Sequence, residues 1–177
     1  MQTLKTILLI LGVVGLLVVA ISQFLPGHYH TERNTIIAAK PEAIFPLVNN
    51  VKKWTAWTPW SAAKDPTLVN TYEGPDEGVG ATSKWTSKKF SEGSMKVTES
   101  DPSKLIKFDL SFQQGSALAN ATFKFEPSGE NTRVTWSMDG ESGRNPLKRI
   151  FGVLMAKMIG PDFEEGLRNL KTQAEAK

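Results

Sequence analysis

The chain has no cysteine. Thiol nucleophiles, disulfide staples and cysteine-based metal sites are therefore excluded, and a folded domain must rest on its packed core. Histidine is almost as scarce, at two residues, His28 and His30. Two apart on a strand they share a face, but no third ligand accompanies them, and a solvated strand is the reading kept. Charge of one sign is not concentrated anywhere. The 21 Lys and Arg and 18 Asp and Glu give a net +3 with the signs interspersed, which argues against a nucleic-acid partner. A GxSxG nucleophile elbow, a P-loop, internal repeats and low-complexity tracts are also missing. Acid–base pairs are poorly represented. Glu73, Asp76 and Glu77 surround a Gly/Pro turn, where solvated charge is ordinary. Asp139 and Glu141 close the final strand and need burial in a cleft to act as a pair. No cofactor or metal is expected.

What the sequence does have is one long apolar run. No residue from Ile7 to Ile21 is polar or charged, and the run reaches Leu25 with only Ser22 and Gln23 interrupting. About 20 helical residues cross a bilayer's hydrocarbon core, so residues 4–25 are expected to span one. Lys5 and the amino terminus lie on one side, which places the N-terminus in the cytoplasm and the rest outside it, periplasmic or extracellular. A cleaved signal peptide competes, with Ala20-Ile21-Ser22 as a passable small-residue site. The run is longer than a usual signal core, which favours a retained anchor. Gly12 and Gly15 are spaced GxxG and predict no helix-dimer face. The division expected is an anchor at 1–26 and one domain at 27–177, long enough for a sizeable core.

Pro26-Gly27 breaks the apolar helix, so the linker is very short. His28 to Ala39 reads as a strand. Pro41 opens a short helix burying Ile44, Phe45 and Val48, with Pro46 shortening or bending it. Trp54, Trp57 and Trp60 follow at intervals of three, but Thr58 precedes Pro59 and is extended, so a helical or 3₁₀ turn through Trp57 and then a loop fits best. From Thr67 the period changes to two. Strands are expected at Thr67 to Glu73, Ala81 to Lys88, Ser94 to Ser100, Ile106 to Phe112, Ala117 to Phe125 and about Val134 to Met138. Turns are expected near Ser91-Glu92-Gly93, Asp101 to Lys104, Gln113 to Ser116 and Pro127 to Asn131. The last element is a helix from about Asn145 to Ala174, with Asn145 as cap and Pro146 at its first position. Leu147, Ile150, Phe151, Leu154 and Met158 form one apolar stripe that resumes at Phe163, Leu167 and Leu170, and Gly160-Pro161 kinks the helix without ending it. A stripe of about seven turns needs a partner of similar length. The fold class is α+β, a curved antiparallel sheet of about seven strands wrapped on the long C-terminal helix.

Ala117, Ala119 and Ala121 sit where core strands usually carry large residues. Small residues facing a long helix either let it approach closely or leave a cavity. Met155 and Met158 suit a gap-filled core or an adaptable binding wall equally. The chain has five tryptophans, and the cluster of Trp54, Trp57 and Trp60 is read as a structural plug at one end of the sheet. Ligand contact by Trp57, Trp60 or Trp85 is the second reading. Membrane-interface anchoring is a third, although these residues lie far from the anchor in sequence.

The element order resembles the helix-grip fold of the START/Bet v 1-like superfamily (SRPBCC). The stretches that carry the resemblance are Trp54-Thr55-Ala56-Trp57-Thr58-Pro59-Trp60-Ser61, Tyr72-Glu73-Gly74-Pro75, Gly78-Val79-Gly80-Ala81, Gly93-Ser94-Met95, Arg133 to Glu141 and Gly160-Pro161-Asp162-Phe163-Glu164. They are similar to the polyketide cyclase/dehydrase-like branch, which includes members with an N-terminal membrane anchor. The resemblance spans residues 28 to 174. It implies a hydrophobic ligand held between sheet and C-terminal helix, and it implies no activity, since the superfamily includes enzymes, carriers and a chaperone-activating branch.

The function expected is therefore non-catalytic binding of a small hydrophobic or lipid-like molecule by a membrane-tethered domain. The expected lining is Trp57, Trp60, Trp85, Phe108, Phe112, Ala119, Phe123, Trp136, Phe151, Met155 and Met158. Two alternatives stand beside it. A cyclase- or dehydratase-like enzyme needs a buried ionisable group in the cavity, for instance Asp139 or Glu99. A protein-interaction module needs a filled cavity and an exposed apolar patch.

Overall fold

Strict alternation along the strands puts one apolar face on each, and those faces need a common partner. In the computed structural model, which describes residues 2–115, 117–143 and 145–176, seven antiparallel strands provide it. Helix α1 (Gln2–Gln23) is followed by β1 (His28–Ile37), α2 (Pro41–Asn49), a 3₁₀ turn (Val51–Ala56), β2 (Val69–Glu73), β3 (Thr82–Ser87), β4 (Ser91–Asp101), β5 (Leu105–Phe112), β6 (Ala117–Ser128), β7 (Asn131–Glu141) and α3 (Pro146–Glu175). The order across the sheet is β1-β7-β6-β5-β4-β3-β2, so successive strands are neighbours from β2 to β7 and β1 closes the far edge. The turn expected at Gln113 to Ser116 is a 3₁₀ turn at Gln113–Gly115, with Ser116 outside the described residues.

Helix α3 starts as its sequence dictates. Asn145 accepts hydrogen bonds from the Leu147 and Lys148 amides at 3.0 and 3.2 Å, and Pro146 occupies the first turn. The helix continues through Pro161 to Glu175. It runs alongside β1 in the same direction. The Thr31 hydroxyl donates to the Ala156 carbonyl at 3.0 Å, Arg33 Nε donates to Glu164 Oε1 at 2.6 Å, Lys171 Nζ donates to the Ile36 carbonyl at 2.8 Å, and the Ala38 amide donates to Glu175 Oε1 at 2.6 Å. Three buried glycines set the approach distance. A Cβ at Gly152 would meet the Ser142 hydroxyl and the Tyr29 ring, one at Gly160 the Arg33 guanidinium, and one at Gly166 the Trp136 ring, each under 3.0 Å.

The apolar stripe of α3 divides at Pro161, contrary to its expected burial along the whole length. Phe163, Leu167 and Leu170 are buried, whereas Leu147, Phe151, Leu154 and Met158 are exposed. The physical reason is lateral placement. Helix α3 lies over β1 and β7 at one edge of a wide sheet, so its first half has no strand beneath that face.

The tryptophan cluster plugs one end of the sheet. Trp54 Nε1 donates to the Val48 carbonyl at 2.8 Å and Trp57 Nε1 to the Leu47 carbonyl at 3.1 Å. These carbonyls belong to the last turn of α2, where the helix itself offers no N–H donor to them. The Trp54 and Trp57 rings lie 4.7 Å apart and meet Phe123 and Trp136 edge-on. The hairpin expected at Ser91-Glu92-Gly93 turns earlier. Ser91, at φ 58°, already begins β4, and Gly93 lies within the strand because the Trp85 ring fills the space where its Cβ would be.

Asp65 fastens the β3–β4 hairpin tip to the loop after Trp60. Its carboxylate accepts from the Ser87 hydroxyl, from the Thr67 hydroxyl at 2.7 Å, and from the Thr67 and Lys89 amides at 2.9 and 3.0 Å. These donors, Ser87 first, hold the carboxyl well below the ordinary aspartate range. A depressed native pKa stabilises the fold above the unfolded-chain value, near 3.9, and that contribution is lost as pH falls from there toward the native value. Asp65→Asn is expected to flatten the acid side of the stability profile measured by urea unfolding, and to reduce hydrogen-exchange protection of the Lys89 amide. For the plug, Trp57→Ala is expected to lower stability by about 3–5 kcal/mol in the same assay. A loss under 1 kcal/mol would contradict a structural role for that ring.

Candidate ligand-binding site

The division of α3 leaves a space between its first half and the strands it does not cover. A cavity of about 430 Å³ lies there. Its floor is the concave face of the sheet, with Ser83 and Trp85 from β3, Met95 from β4, Leu110 and Phe112 from β5, and Ala117 and Ala121 from β6. Trp136 and Met138 from β7 continue it. One wall is α3, through Phe151, Met155, Met158, Ile159, Asp162 and Phe163. The other is the 3₁₀ turn and the loop after it, with Trp54 and Trp60. The mouth lies where these residues become exposed, at Phe151 and Met158 on α3 and at Lys89 and Ser91 on the β3–β4 hairpin.

Alternation in the strands accounts for the floor. Met95 pairs with Leu110, Leu110 with Ala119, and Phe108 with Ala121 and Val97, so one face of three adjacent strands, β4 to β6, is apolar at these positions. The small side chains of Ala117 and Ala121 leave volume that large neighbours do not fill. Of the two readings open for these alanines, close approach of α3 and an open space, the described geometry has the space. Close approach occurs at Gly152, Gly160 and Gly166 on β1 and β7.

The polar lining is sparse. Lys89 and Asp162 are the charged residues among the described lining. Burial pushes the Tyr29 and Tyr72 hydroxyls above their ordinary pKa, with Lys52 partly opposing the shift at Tyr72, so both stay neutral donors at physiological pH. The Trp136 indole N–H is buried and has no hydrogen-bond partner among the described residues. Asp139 and Glu99 do not line the cavity. They lie on the outer face of the sheet, Asp139 Oδ1 at 2.7 Å from His30 Nδ1 and Glu99 at 2.6 Å from Lys107 Nζ, both exposed. Among the described residues no group of three or more His, Asp or Glu is arranged to hold a metal ion.

Of the residues expected in the lining, Trp60, Trp85, Phe112, Trp136, Phe151, Met155 and Met158 are in it, and Trp57, Phe108, Ala119 and Phe123 lie outside it. The covering rings explain the difference. Trp54 stands edge-on to Phe108 at 5.3 Å and to Phe123 at 5.8 Å, and Trp136 stacks on Phe123 at 4.8 Å. The Tyr29 ring lies over Gly140, the cross-strand neighbour of Ala119. Tyr29, Trp54, Tyr72 and Met95 are lining residues outside that expected set, as are Ala117 and Ala121, which were expected either to admit the helix or to leave a cavity. Ala121 was legible as an inward residue from its alternation, and so was Met95 opposite Leu110. Tyr29 carried no local signal, since what admits its ring is the absence of side chains at Gly140 and Gly152 far along the chain.

Comparison with known proteins agrees with this architecture. A solution structure from Thermobifida fusca superposes with a TM-score of 0.64 at 17% identity, covering 82% of this chain and 92% of its own. A crystal structure from Thermus thermophilus gives 0.59 at 20% identity, covering 83% and 97%. The Aha1 dimer from Colwellia psychrerythraea gives 0.57 at 18% identity, covering 83% and 96%. These likenesses concern the fold. No match is found among curated proteins. Residues 28–175 match the sequence model described as polyketide cyclase/dehydrase and lipid transport, so the chain belongs to that family, within the START/Bet v 1-like superfamily.

Proposed function

We propose that the chain is a membrane-tethered domain that binds a small hydrophobic or lipid-like molecule without transforming it. The observation that carries this reading is the cavity itself. Its 430 Å³ falls within the range of ligand pockets, about 300–1,000 Å³, and its walls are overwhelmingly apolar with few polar groups. A hydrophobic molecule moving from water into it gains burial against Trp60, Trp85, Leu110, Phe112 and Met155. Asp139 and Glu99, the carboxylates an enzyme reading needed in the cavity, are not in its lining.

Tethering rests on α1, which is long and apolar enough to cross a membrane. In this reading residues 1–26 are a retained anchor with the N-terminus cytoplasmic, and residues 27–177 form the binding domain outside the cytoplasm. A tether of this kind holds the pocket at the bilayer surface at high effective concentration. The family's description includes lipid transport, which is consistent with a lipid-like ligand.

Two fillings of the cavity test the reading. Ala121→Phe adds a ring to the floor, and Ala117→Phe adds one nearer the partly exposed end of β6, where folding is less at risk. Both are expected to reduce binding of a fluorescent fatty-acid probe by about tenfold or more, the equivalent of 1.4 kcal/mol. Circular dichroism and the urea midpoint check that each variant is folded. Undiminished probe binding in folded protein would contradict the proposed location.

A further inference from the structure

The exposed half of the α3 stripe is unusual in its geometry. Leu147, Phe151, Leu154 and Met158 are 72, 58, 51 and 68% exposed. At 3.6 residues per turn they fall within an arc of about 60° and extend for about 16 Å along the helix. Lys148 and Lys157, both exposed, project about 90° to either side of that arc, where long basic side chains can flank an apolar face. Between Glu141 and Asp162 the sequence has no acidic residue, but it has Arg144, Lys148, Arg149 and Lys157. Beyond Pro161 the balance reverses, with Asp162, Glu164, Glu165 and Glu175 against Arg168 and Lys171.

This face sits beside the end of the apolar helix. Arg149 Nη1 donates to the Ser22 and Gln23 carbonyls, each at 3.2 Å, and its Nε donates to the Gly143 carbonyl at 2.8 Å. A cation on the last carbonyls of α1 satisfies acceptors the helix leaves open and complements its dipole. The Gly27 carbonyl accepts from the Ser142 and Gly143 amides, so the connection between α1 and the domain is held at both sides of Pro26. Phe24, 90% exposed, projects at the same level. Helix α3 therefore begins where α1 ends.

We infer that the first half of α3 lies in the surface of the bilayer that α1 crosses, with anionic headgroups around its lysines, and that the cavity mouth opens onto the lipid. This rests on the tethered, ligand-binding reading above and adds a route to it. A solvated apolar stripe of this width flanked by cations has the character of an in-plane interfacial helix. Phe151 and Met158 belong both to the stripe and to the cavity lining, so an acyl chain passing between them leaves the membrane without crossing water. Lys89 on the opposite rim adds a further cation at the mouth.

The absence of cysteine makes the test clean. Single cysteines at Leu147, Leu154 and Met158, with Asp109 on the outer sheet face as control, are spin-labelled in the full-length protein. The protein is reconstituted in vesicles of phosphatidylcholine and phosphatidylglycerol, and power saturation compares collisions with oxygen and with a water-soluble nickel chelate. All four positions are exposed, so the substitutions should not disturb folding. The expected result is a shift toward oxygen and away from nickel at the three stripe positions relative to Asp109. Nickel accessibility equal to that at Asp109 would overturn the inference. So would labels shielded from both reagents with short label-to-label distances, which would identify a second copy of the chain as the occupant. Probe binding measured on the same vesicles with the Leu147, Leu154 and Asp109 variants, whose positions lie outside the cavity lining, separates the two proposals. Lipid contact without probe binding removes the pocket reading alone, and probe binding with nickel-accessible labels removes the bilayer contact alone.

Discussion

The Phe163 ring lies on the Trp136 ring with centroids 3.9 Å apart and planes 8° from parallel, and the position of α3 depends on that stack. Trp136 in turn stacks on Phe123 and receives Trp54, Trp57 and Trp60 edge-on, so one indole joins the sheet, the 3₁₀ turn and the C-terminal helix. Gly166 allows the helix backbone to come down onto the same ring, with the Pro59 ring close to the same point. Aromatic pairs of this kind add about 0.5–1.5 kcal/mol each beyond the area they bury. Their larger effect here is positional, because they hold the second half of α3 close to β7 and β1.

The open space follows from the same constraint. A helix fixed over one edge of a seven-stranded sheet cannot also cover the other edge. Past Pro161, Phe163, Leu167 and Leu170 fill the interior, and over the strands that α3 does not cover the alanines of β6 face a gap. The filled end supplies stability and the open end supplies the cavity, with Trp136 belonging to both. Asp65 plays a comparable part on the other rim by holding the β3–β4 hairpin tip against the loop that carries Trp60.

Most of the fold was legible because the strands are half-buried. Ile106, Phe108, Leu110 and Phe112 alternate with Lys107, Asp109 and Ser111, and that pattern admits few other structures. The long helix was equally plain from Asn145, Pro146 and its stripe. What could not be read was which part of the stripe is buried, since that depends on lateral position over the sheet and not on helical period. Gly93 illustrates the same limit. In sequence it reads as a turn residue, but its function is to make room for Trp85, a partner on another strand. The lining was legible for Trp60, Trp85 and Trp136 and not for Tyr29, whose place is decided by two glycines over a hundred residues away. Phe108 and Phe123 face inward as their alternation requires, but Trp54 covers them, and no spacing in the sequence encodes that overlap.

On the reading proposed above, the cavity between sheet and α3 holds an apolar small molecule. Native mass spectrometry tests it most directly, on full-length protein extracted gently from membranes and purified without added ligand. The expected result is a co-purifying molecule of defined mass, or a discrete mass shift on incubation with a lipid extract, that is lost in Ala121→Phe. A clean apo mass throughout, with no shift on incubation, would contradict it.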